Sequence, residues 1–153
     1  MEIKQVSTDE VGEFHSALSC LIRSTMQLPD VALDHYTHQW SELKLKTCLD
    51  SWLFLVAKEN DKIAGLVLAT PVEGGVGTII WLLVDSDVQK KGLGTSLFNE
   101  ACKIYKSKGA HKLKLTVPDE STTSFYIKQG MILEGIHRKH WWKNDFWAMG
   151  IQL

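Results

Sequence analysis

Gln89-Lys90-Lys91-Gly92-Leu93-Gly94 lies between a run of apolar residues and a segment with helical periodicity. The apolar run before it, 79–84, is typical of a buried strand, and apolar residues recur every three or four positions in the segment after it. Glycines let a ligand approach the backbone closely, and the first N–H groups of a helix are unpaired and lie at the positive end of its dipole. The stretch therefore predicts an anion site, and a phosphate-bearing ligand is the first hypothesis.

Two common nucleotide-binding loops do not fit this stretch. A dinucleotide-binding turn needs a third glycine three residues after Gly94, where the chain has Leu97. A triphosphate-binding loop ends in Gly-Lys-Ser/Thr, and the lysine is missing from Gly94-Thr95. Both nucleotide interpretations therefore fail at specific positions.

Composition predicts one globular domain over residues 1–153. The chain is 44% apolar and 23% charged, and its net charge of -1 gives no reason to expect nucleic acid or an acidic membrane as a partner. It has no start of signal-peptide type and no apolar stretch near the roughly 18 residues that span a bilayer. Its three widely spaced cysteines indicate reduced thiols rather than a disulfide framework. A cytoplasmic protein without a membrane partner is therefore expected.

Apolar patterns and turn residues predict the order β-α-α-β-β-β-α-β-α-β-β. Ser7 and Glu10, three residues apart, form a capping box before the first helix. This order predicts the α/β (α+β) class, with a mixed, mostly antiparallel sheet flanked by helices. The predicted strands are 3–6, 52–58, 63–70, 78–84, 112–117, 131–140 and 146–153, and the predicted helices are 11–26, 31–48, 93–109 and 121–129.

Gln89, Gly92 and Gly94 match in full the Arg/Gln-x-x-Gly-x-Gly/Ala signature that binds the coenzyme pyrophosphate in the GNAT superfamily of N-acetyltransferases. The chain resembles this family in a second segment, Phe125 to Met131. That segment is similar to the family's Tyr-x-Lys-x-Gly-Phe, with methionine in place of the phenylalanine. The predicted element order is similar to the family's along essentially the whole chain. Together these features favour a single GNAT-like N-acetyltransferase domain.

The resemblance implies that acetyl-CoA binds as co-substrate where two neighbouring strands splay apart, here the strand ending at Val84 and the strand Lys112–Val117. Free backbone groups of the first strand would pair with the pantetheine amides, as a strand edge pairs with a peptide. N–H groups of the glycine turn would hold the pyrophosphate. Lys90 and Lys91 either contact the phosphates or form a solvated helix start. The implied coenzyme-binding residues are Leu82, Leu83, Val84, Gln89, Lys90, Lys91, Gly92, Leu93, Gly94, Thr95, Asp119, Tyr126 and Lys128.

Tyr126 is the residue to which the resemblance assigns chemistry. In the family, a tyrosine at this position lies near the coenzyme sulfur and protonates the departing thiolate. A phenol keeps its proton at neutral pH, which suits a general acid, and the alternative is a tyrosine that only packs on the coenzyme or the core. Asp119 stands where the family often has an asparagine that contacts the coenzyme, and a carboxylate cannot donate a hydrogen bond as an amide does.

The family's frequent general base, a glutamate on the central strand, has no counterpart here. Trp81 fills the corresponding position. An amine is mostly protonated at neutral pH, so some group must accept its proton. A water chain, Glu73 in the preceding loop and a histidine are the alternatives.

Two pairs of histidines suggest a metal site, His35 with His38 and His137 with His140. The second pair would point to opposite faces of a strand. Neither pair has an acidic or thiol ligand at a useful spacing. No metal is therefore expected.

Aromatic residues are frequent near the segments that line the acceptor site in the family, which are the loop between the first two helices and the loop joining the last two strands. These segments correspond to Gln27–Asp30 and Trp141–Asp145. Their aromatic side chains would favour a cationic or apolar amine, or would pack on a second copy in a homodimer. The aromatic residues in question are Trp40, Trp141, Trp142, Phe146 and Trp147.

The predicted function is an acetyl-CoA-dependent N-acetyltransferase that moves an acetyl group to a primary amine of an unidentified small molecule or peptide. The resemblance implies that the amine attacks the thioester directly in a ternary complex. Two alternatives remain open. One is a catalytically idle acetyl-CoA-binding regulatory module (a sensor), which the missing glutamate favours, and the other is an unrelated α/β interaction domain in which the glycine turn only begins a helix.

Overall fold

A mixed sheet of seven strands lies at the centre of the computed structural model, which describes residues 1–153. Five α-helices cover the two faces of this sheet. The strands are β1 (Ile3–Gln5), β2 (Leu53–Glu59), β3 (Lys62–Ala69), β4 (Val76–Val84), β5 (Lys112–Val117), β6 (Ile132–His137) and β7 (Phe146–Gln152). The helices are α1 (Val11–Thr25), α2 (Asp30–Gln39), α3 (Glu42–Cys48), α4 (Leu93–Ser107) and α5 (Glu120–Lys128).

The strands lie side by side in the order β1-β2-β3-β4-β5-β7-β6. Every neighbouring pair is antiparallel except β4 and β5, which run parallel. The α/β class with a mixed, mostly antiparallel sheet is thereby confirmed. The single parallel pair lies in the middle of the sheet and brings the carboxyl end of β4, and with it the glycine turn, to the same edge as the carboxyl end of β5.

The helical stretch predicted over 31–48 is two helices rather than one. Trp40 leaves the helical conformation with ψ of 53° and is buried, so the chain turns inward after α2. Ser41 then begins α3, and its side chain accepts a hydrogen bond from the N–H of Lys44 at 3.3 Å. Helical periodicity continues across this break, whereas the serine cap interrupts the backbone.

Separate hydrophobic cores lie on the two faces of the sheet. On one face α1, α2 and α3 cover β2, β3 and β4, and the rings of Phe14 and Phe54 lie 5.0 Å apart. On the other face α4 and α5 pack on the sheet. A Cβ atom on Gly65 of β3 would lie 2.9 Å from the Leu97 side chain of α4, so a larger residue at this position requires that side chain to shift. Burial on both faces explains the unbroken apolar run of β2.

The predicted capping box before α1 is confirmed. Ser7 donates its backbone N–H to the Glu10 carboxylate at 3.0 Å, and the residues between them form a short 3₁₀ turn. Glu10 also accepts a hydrogen bond from Lys4 of β1. Chiefly through Lys4, and also through the Ser7 N–H, these donors lower the pKa of Glu10 from 4.5 to about 2. One charged carboxylate therefore joins the first strand to the start of the first helix.

We expect Glu10→Gln to lower the free energy of unfolding by about 0.5–1 kcal/mol at pH 7, because the amide keeps the shape of the cap but loses the charge. The pKa of Glu10 is lower in the folded chain than in the unfolded one. The stabilisation is therefore complete above pH 4.5 and is lost as the pH falls towards 2. Urea unfolding of both proteins at stepped pH measures this difference.

Asp9→Asn is the matched control, since Asp9 lies in the same turn and its side chain forms no hydrogen bond or ion pair. A difference between Glu10→Gln and the native chain that stays constant from pH 7 to pH 2 contradicts the assignment.

Candidate active site

A cleft opens between β4 and β5 because the two strands pair only at their beginnings. Their pairing runs from Val76 with Lys112 to Thr78 with Lys114 and ends there. Beyond this point β4 continues with β3, and β5 continues with β7. Ile80 is an extra residue in the pairing with β3, a bulge that interrupts the ladder where the divergence begins. The resulting cleft has a volume of about 760 Å³, within the range of small-molecule sites.

Two residues of β4 direct unpaired backbone groups into this cleft. Asp85 donates its N–H to Ala64 at 2.9 Å, which fixes the alternation of hydrogen-bonded pairs between β3 and β4. By this alternation Leu83 directs its backbone groups towards β3, and Leu82 and Val84 direct theirs to the opposite edge. Of the three residues predicted to offer backbone groups to a coenzyme, Leu83 is therefore paired within the sheet.

The side chain of Gln89 attaches the glycine turn to the end of β4. Its amide donates to the carbonyl oxygen of Val84 at 3.0 Å. The carbonyl of Val84 is thus engaged, and its N–H remains free. This bond explains why the sequence signature has a glutamine at this position: the side chain sets the position of the turn relative to the open edge of β4.

Six consecutive backbone N–H groups, from Lys90 to Thr95, have no acceptor within the chain. The first intrahelical bond of α4 is made by Ser96, which donates to Gly92. Lys90 and Gly92 both have positive φ, +66° and +83°, and this backbone form curls successive N–H groups towards a common point. Lys90 and Lys91 are exposed and form no ion pair, so the turn is electropositive in both its backbone and its side chains.

The two glycines of the turn are required for different reasons. A Cβ atom on Gly92 would meet nothing within 4 Å, so its positive φ is what favours glycine there. A Cβ atom on Gly94 would lie 3.2 Å from the ring of Phe125. The second glycine therefore lets the start of α4 pack closely against α5, next to Tyr126.

Tyr126 lines the cleft from α5 and is 6% exposed. Its ring packs edge-on against Phe98 at 6.0 Å and Phe125 at 4.9 Å. Its hydroxyl forms no hydrogen bond within the chain. Burial raises the pKa of Tyr126 above its ordinary value, so the hydroxyl stays protonated. The site therefore presents a neutral donor held in a fixed orientation by two aromatic rings.

Asp119 and Lys128 lie at the two ends of α5. Asp119 caps the helix, and its carboxylate accepts from the side chain and the N–H of Ser121 at 2.6 and 3.0 Å. These bonds, led by the one from the Ser121 hydroxyl, lower the pKa of Asp119. Asp119 also lines the cleft. Lys128 is exposed in the last turn and forms no hydrogen bond or ion pair.

Five aromatic side chains lie at one end of the cleft, where distant parts of the chain meet over β4, and we call this group the aromatic wall: Tyr36, Trp40, Trp52, Trp81 and Trp142. The Tyr36 and Trp81 rings are 5.1 Å apart, and Trp142 donates its indole N–H to the Tyr36 hydroxyl at 3.2 Å.

The two segments predicted to line an acceptor site both contribute to the cleft. Gln27 and Leu28 of the first segment lie in its lining, together with Trp141 and Trp142 of the second. Trp40 and Phe146 also line the cleft, and Trp147 does not.

No free carboxylate lines the cleft. Of its two acidic lining residues, Asp119 caps α5 and Glu134 pairs with Lys112 at 2.7 Å. Glu73 is outside the lining and pairs with Val76 at the opposite end of β4. His35 and His137 do line the cleft. Of the protein groups considered as general base, only histidine is therefore present at the site.

No group of three or more His, Cys, Asp or Glu side chains is arranged to hold a metal ion. His137 and His140 stack with ring centroids 4.9 Å apart, and the three cysteines are free. No helix is both long and apolar enough to cross a membrane.

Solved structures with this fold align over nearly the whole chain. A GNAT-family acetyltransferase from Streptococcus pneumoniae superposes with a TM-score of 0.83 at 21% identity, covering 99% of this chain and 98% of the other. The PaiA N-acetyltransferase from Thermoplasma acidophilum, in complex with coenzyme A, gives 0.78 at 19% identity, with coverage of 99% and 98%. The ribosomal-protein-S18-alanine N-acetyltransferase from Escherichia coli gives 0.76 at 18%, with coverage of 99% and 92%. These likenesses show the fold.

The sequence pattern of the acetyltransferase (GNAT) family matches residues 24–131, which is more than half of the chain. The chain belongs to the acetyltransferase (GNAT) family. The resemblance seen in the sequence and the assignment as an acetyltransferase are thereby confirmed. Comparison with curated protein sequences finds no match.

Sequence reasoning missed Tyr36 and Trp52 as lining residues of this acetyltransferase. Both lie far along the chain from β4, and no local motif marks them. The available signal was the high number of aromatic residues, which indicated an aromatic site without saying which rings meet. Only the packing of α2 against the turn before β7 brings Tyr36 to Trp142.

Proposed function

We propose that residues 1–153 act as one catalytic domain, which binds acetyl-CoA along β4 and the glycine turn and acetylates a primary amine held at the aromatic wall. One observation carries the proposal: the open edge of β4 leads directly to six unpaired N–H groups. A ligand that matches this arrangement has an extended chain with amides, which pairs with the strand edge, followed by a pyrophosphate, which accepts from the N–H groups of the turn. Acetyl-CoA has that form, and it supplies the acetyl group as a thioester.

The coenzyme-binding residues are assigned by the groups that they offer. The free N–H groups of Leu82 and Val84 suit the pantetheine amides and the thioester carbonyl. The N–H groups of 90–95 suit the pyrophosphate, with Lys90 and Lys91 adding charge. Asp119 and Lys128 have weaker support, because Asp119 is engaged in capping and Lys128 is exposed at the far end of α5.

Direct transfer requires the chain to orient the acceptor, polarise the thioester carbonyl and protonate the sulfur that leaves. A new bond forms between nitrogen and the acetyl carbon while the bond from carbon to sulfur breaks. Leu82 offers a backbone donor for the carbonyl, and Tyr126 offers the proton for the thiolate. The amine must lose its own proton first, and water or a lining histidine accepts it in the absence of a free carboxylate.

A second candidate function is a sensor that binds acetyl-CoA without turnover. The specific observation in its favour is Trp81, which fills the strand position of the family's usual base. Thiol release across a panel of amines, amino acids and peptides separates the two functions in a protein shown to bind acetyl-CoA. Release above the rate without acceptor supports the enzyme, and its absence over the whole panel supports the sensor.

We expect Gly92→Glu to reduce the affinity for acetyl-CoA by about two orders of magnitude, since it places a carboxylate against the pyrophosphate. Gly109→Glu is the matched control. Gly109 also has a φ of +83° and open space around a Cβ atom, but it follows the other end of α4. Both changes should therefore cost similar stability, about 1–2 kcal/mol.

Titration calorimetry with acetyl-CoA and thermal unfolding of both variants provide the comparison. Equal affinities in the two glutamate variants would remove the pyrophosphate assignment.

We expect Tyr126→Phe to lower kcat by roughly tenfold to hundredfold and to change acetyl-CoA affinity little, because only the donated proton is lost. Tyr105→Phe is the matched control. Tyr105 is also buried, and its hydroxyl donates to the carbonyl oxygen of Thr70 in the core; it does not line the cleft. That variant should lose stability and keep its kcat. Unchanged turnover in Tyr126→Phe means that the ring only packs.

The raised pKa of Tyr126 also sets an expectation for the pH profile. A general acid works only while it is protonated, and burial raises this pKa above the ordinary value of about 10. We therefore expect kcat to show no fall between pH 7 and about pH 10. A descending limb near pH 8 in a protein that remains folded contradicts Tyr126 as the acid.

A further inference from the structure

The aromatic wall holds its five rings close together. Tyr36 lies 5.1 Å from Trp81 and 6.2 Å from Trp142, centroid to centroid, and Trp40 lies 5.3 Å from Trp52. All five line the cleft. Rings at these edge-on angles present a rigid apolar surface, which is suited to a flat or bulky apolar body.

Two indole N–H groups of the aromatic wall have no acceptor. Trp81 is 7% exposed and Trp40 is 4% exposed, and the Nε1 atom of each is buried without a partner in the chain. By contrast, Trp142 donates to Tyr36. Buried donors in native proteins are nearly always paired, and an unpaired one costs free energy until a ligand or water supplies the acceptor. Because both Nε1 atoms are buried, a ligand oxygen can accept from one of them only after the ring turns towards the cleft.

The unpaired charges that line the cleft are positive. Asp119 and Glu134, its only carboxylates, are both engaged. Lys44 and Lys114 line the cleft without a carboxylate within 4.0 Å. A local positive field attracts anionic groups and repels molecules with several cationic amines. This distribution disfavours polyamines and amine-rich sugars as acceptors.

We propose, on the basis of the N-acetyltransferase function above, that the acceptor is a small α-amino acid with an aromatic or bulky apolar side chain and a free carboxylate. The side chain lies on the aromatic wall. Lys114 attracts the carboxylate, which accepts from the unpaired indole N–H of Trp81 on the central strand once the Trp81 ring turns to expose it. Trp81 thus selects the acceptor at the strand position where relatives carry a base.

Binding to the protein saturated with coenzyme A tests this without any turnover. The probes are L-tryptophan and L-phenylalanine, their decarboxylated counterparts tryptamine and phenethylamine, and spermidine. We expect each amino acid to bind about tenfold more tightly than its decarboxylated counterpart, as for the loss of one hydrogen bond to a charged group. Spermidine should bind most weakly.

Each outcome of this titration decides between the proposals. Tighter binding of tryptamine or spermidine, or no binding of either amino acid, overturns the proposed acceptor class. Selective binding of the amino acids without thiol release from acetyl-CoA supports the acceptor class and contradicts the transferase. The two failures are therefore distinguishable.

Trp81→Phe removes the unpaired indole N–H and keeps an aromatic ring. We expect the affinity for L-tryptophan to fall about tenfold, with tryptamine changing by less than about twofold. The ratio of the two affinities within one variant is independent of the folded fraction, so a partly unfolded variant still gives an answer. An equal loss for both ligands means that Trp81 only packs, which overturns its role in selecting the carboxylate.

Lys114→Gln should weaken L-tryptophan binding by about threefold and leave tryptamine unchanged or slightly tighter. Lys106→Gln is its matched control, because Lys106 is also an exposed lysine and lies in the last turn of α4, outside the cleft. A loss of equal size in the control would show a general effect of charge and overturn the role of Lys114.

Discussion

The divergence of β4 from β5 is the constraint on which the site depends. Backbone N–H and C=O groups inside a folded chain need partners, and a central strand normally finds them on both sides. Here three paired positions hold β4 and β5 together at their beginnings, and a bulge at Ile80 then changes the direction of β4. The backbone of Leu82 and Val84 is left facing the cleft. Part of the hydrogen-bonding capacity of the sheet is thus left unpaired, and the unpaired groups continue into the N–H groups of the glycine turn.

One packing contact couples that turn to the proposed acid, Tyr126. Gly94 at the start of α4 lies against Phe125 of α5, and Phe125 in turn packs against Tyr126. The same two helices cover one face of the sheet, so the position of the proposed acid is set by the core rather than by a mobile loop. At the other end of the cleft, Trp142 and Tyr36 join the last strand connection to α2. The proposed coenzyme end and the proposed acceptor end are therefore built by different parts of the chain around one open strand.

Much of the fold was predictable because its signals are local. Unbroken apolar runs marked the buried strands, and the capping box formed by Ser7 and Glu10 marked the first helix. The break after Trp40 was not predictable, because helical periodicity continues across it and only the Ser41 cap interrupts the backbone. Within the site, the signature identified the anion turn but not which residues of β4 are free. That depends on strand pairing, which places Leu83 towards β3.

By itself, the sequence determined the class of fold, the glycine turn and the family, since each rests on residues close together in the chain. The tertiary structure decided what surrounds the reacting groups. It showed that Asp119 is occupied by its own helix and that Glu73 lies at the wrong end of β4. It also brought Tyr36 next to Trp81 and Trp142 in the aromatic wall. The physical reason is that these contacts join residues far apart in sequence, and only packing and strand register bring such residues together.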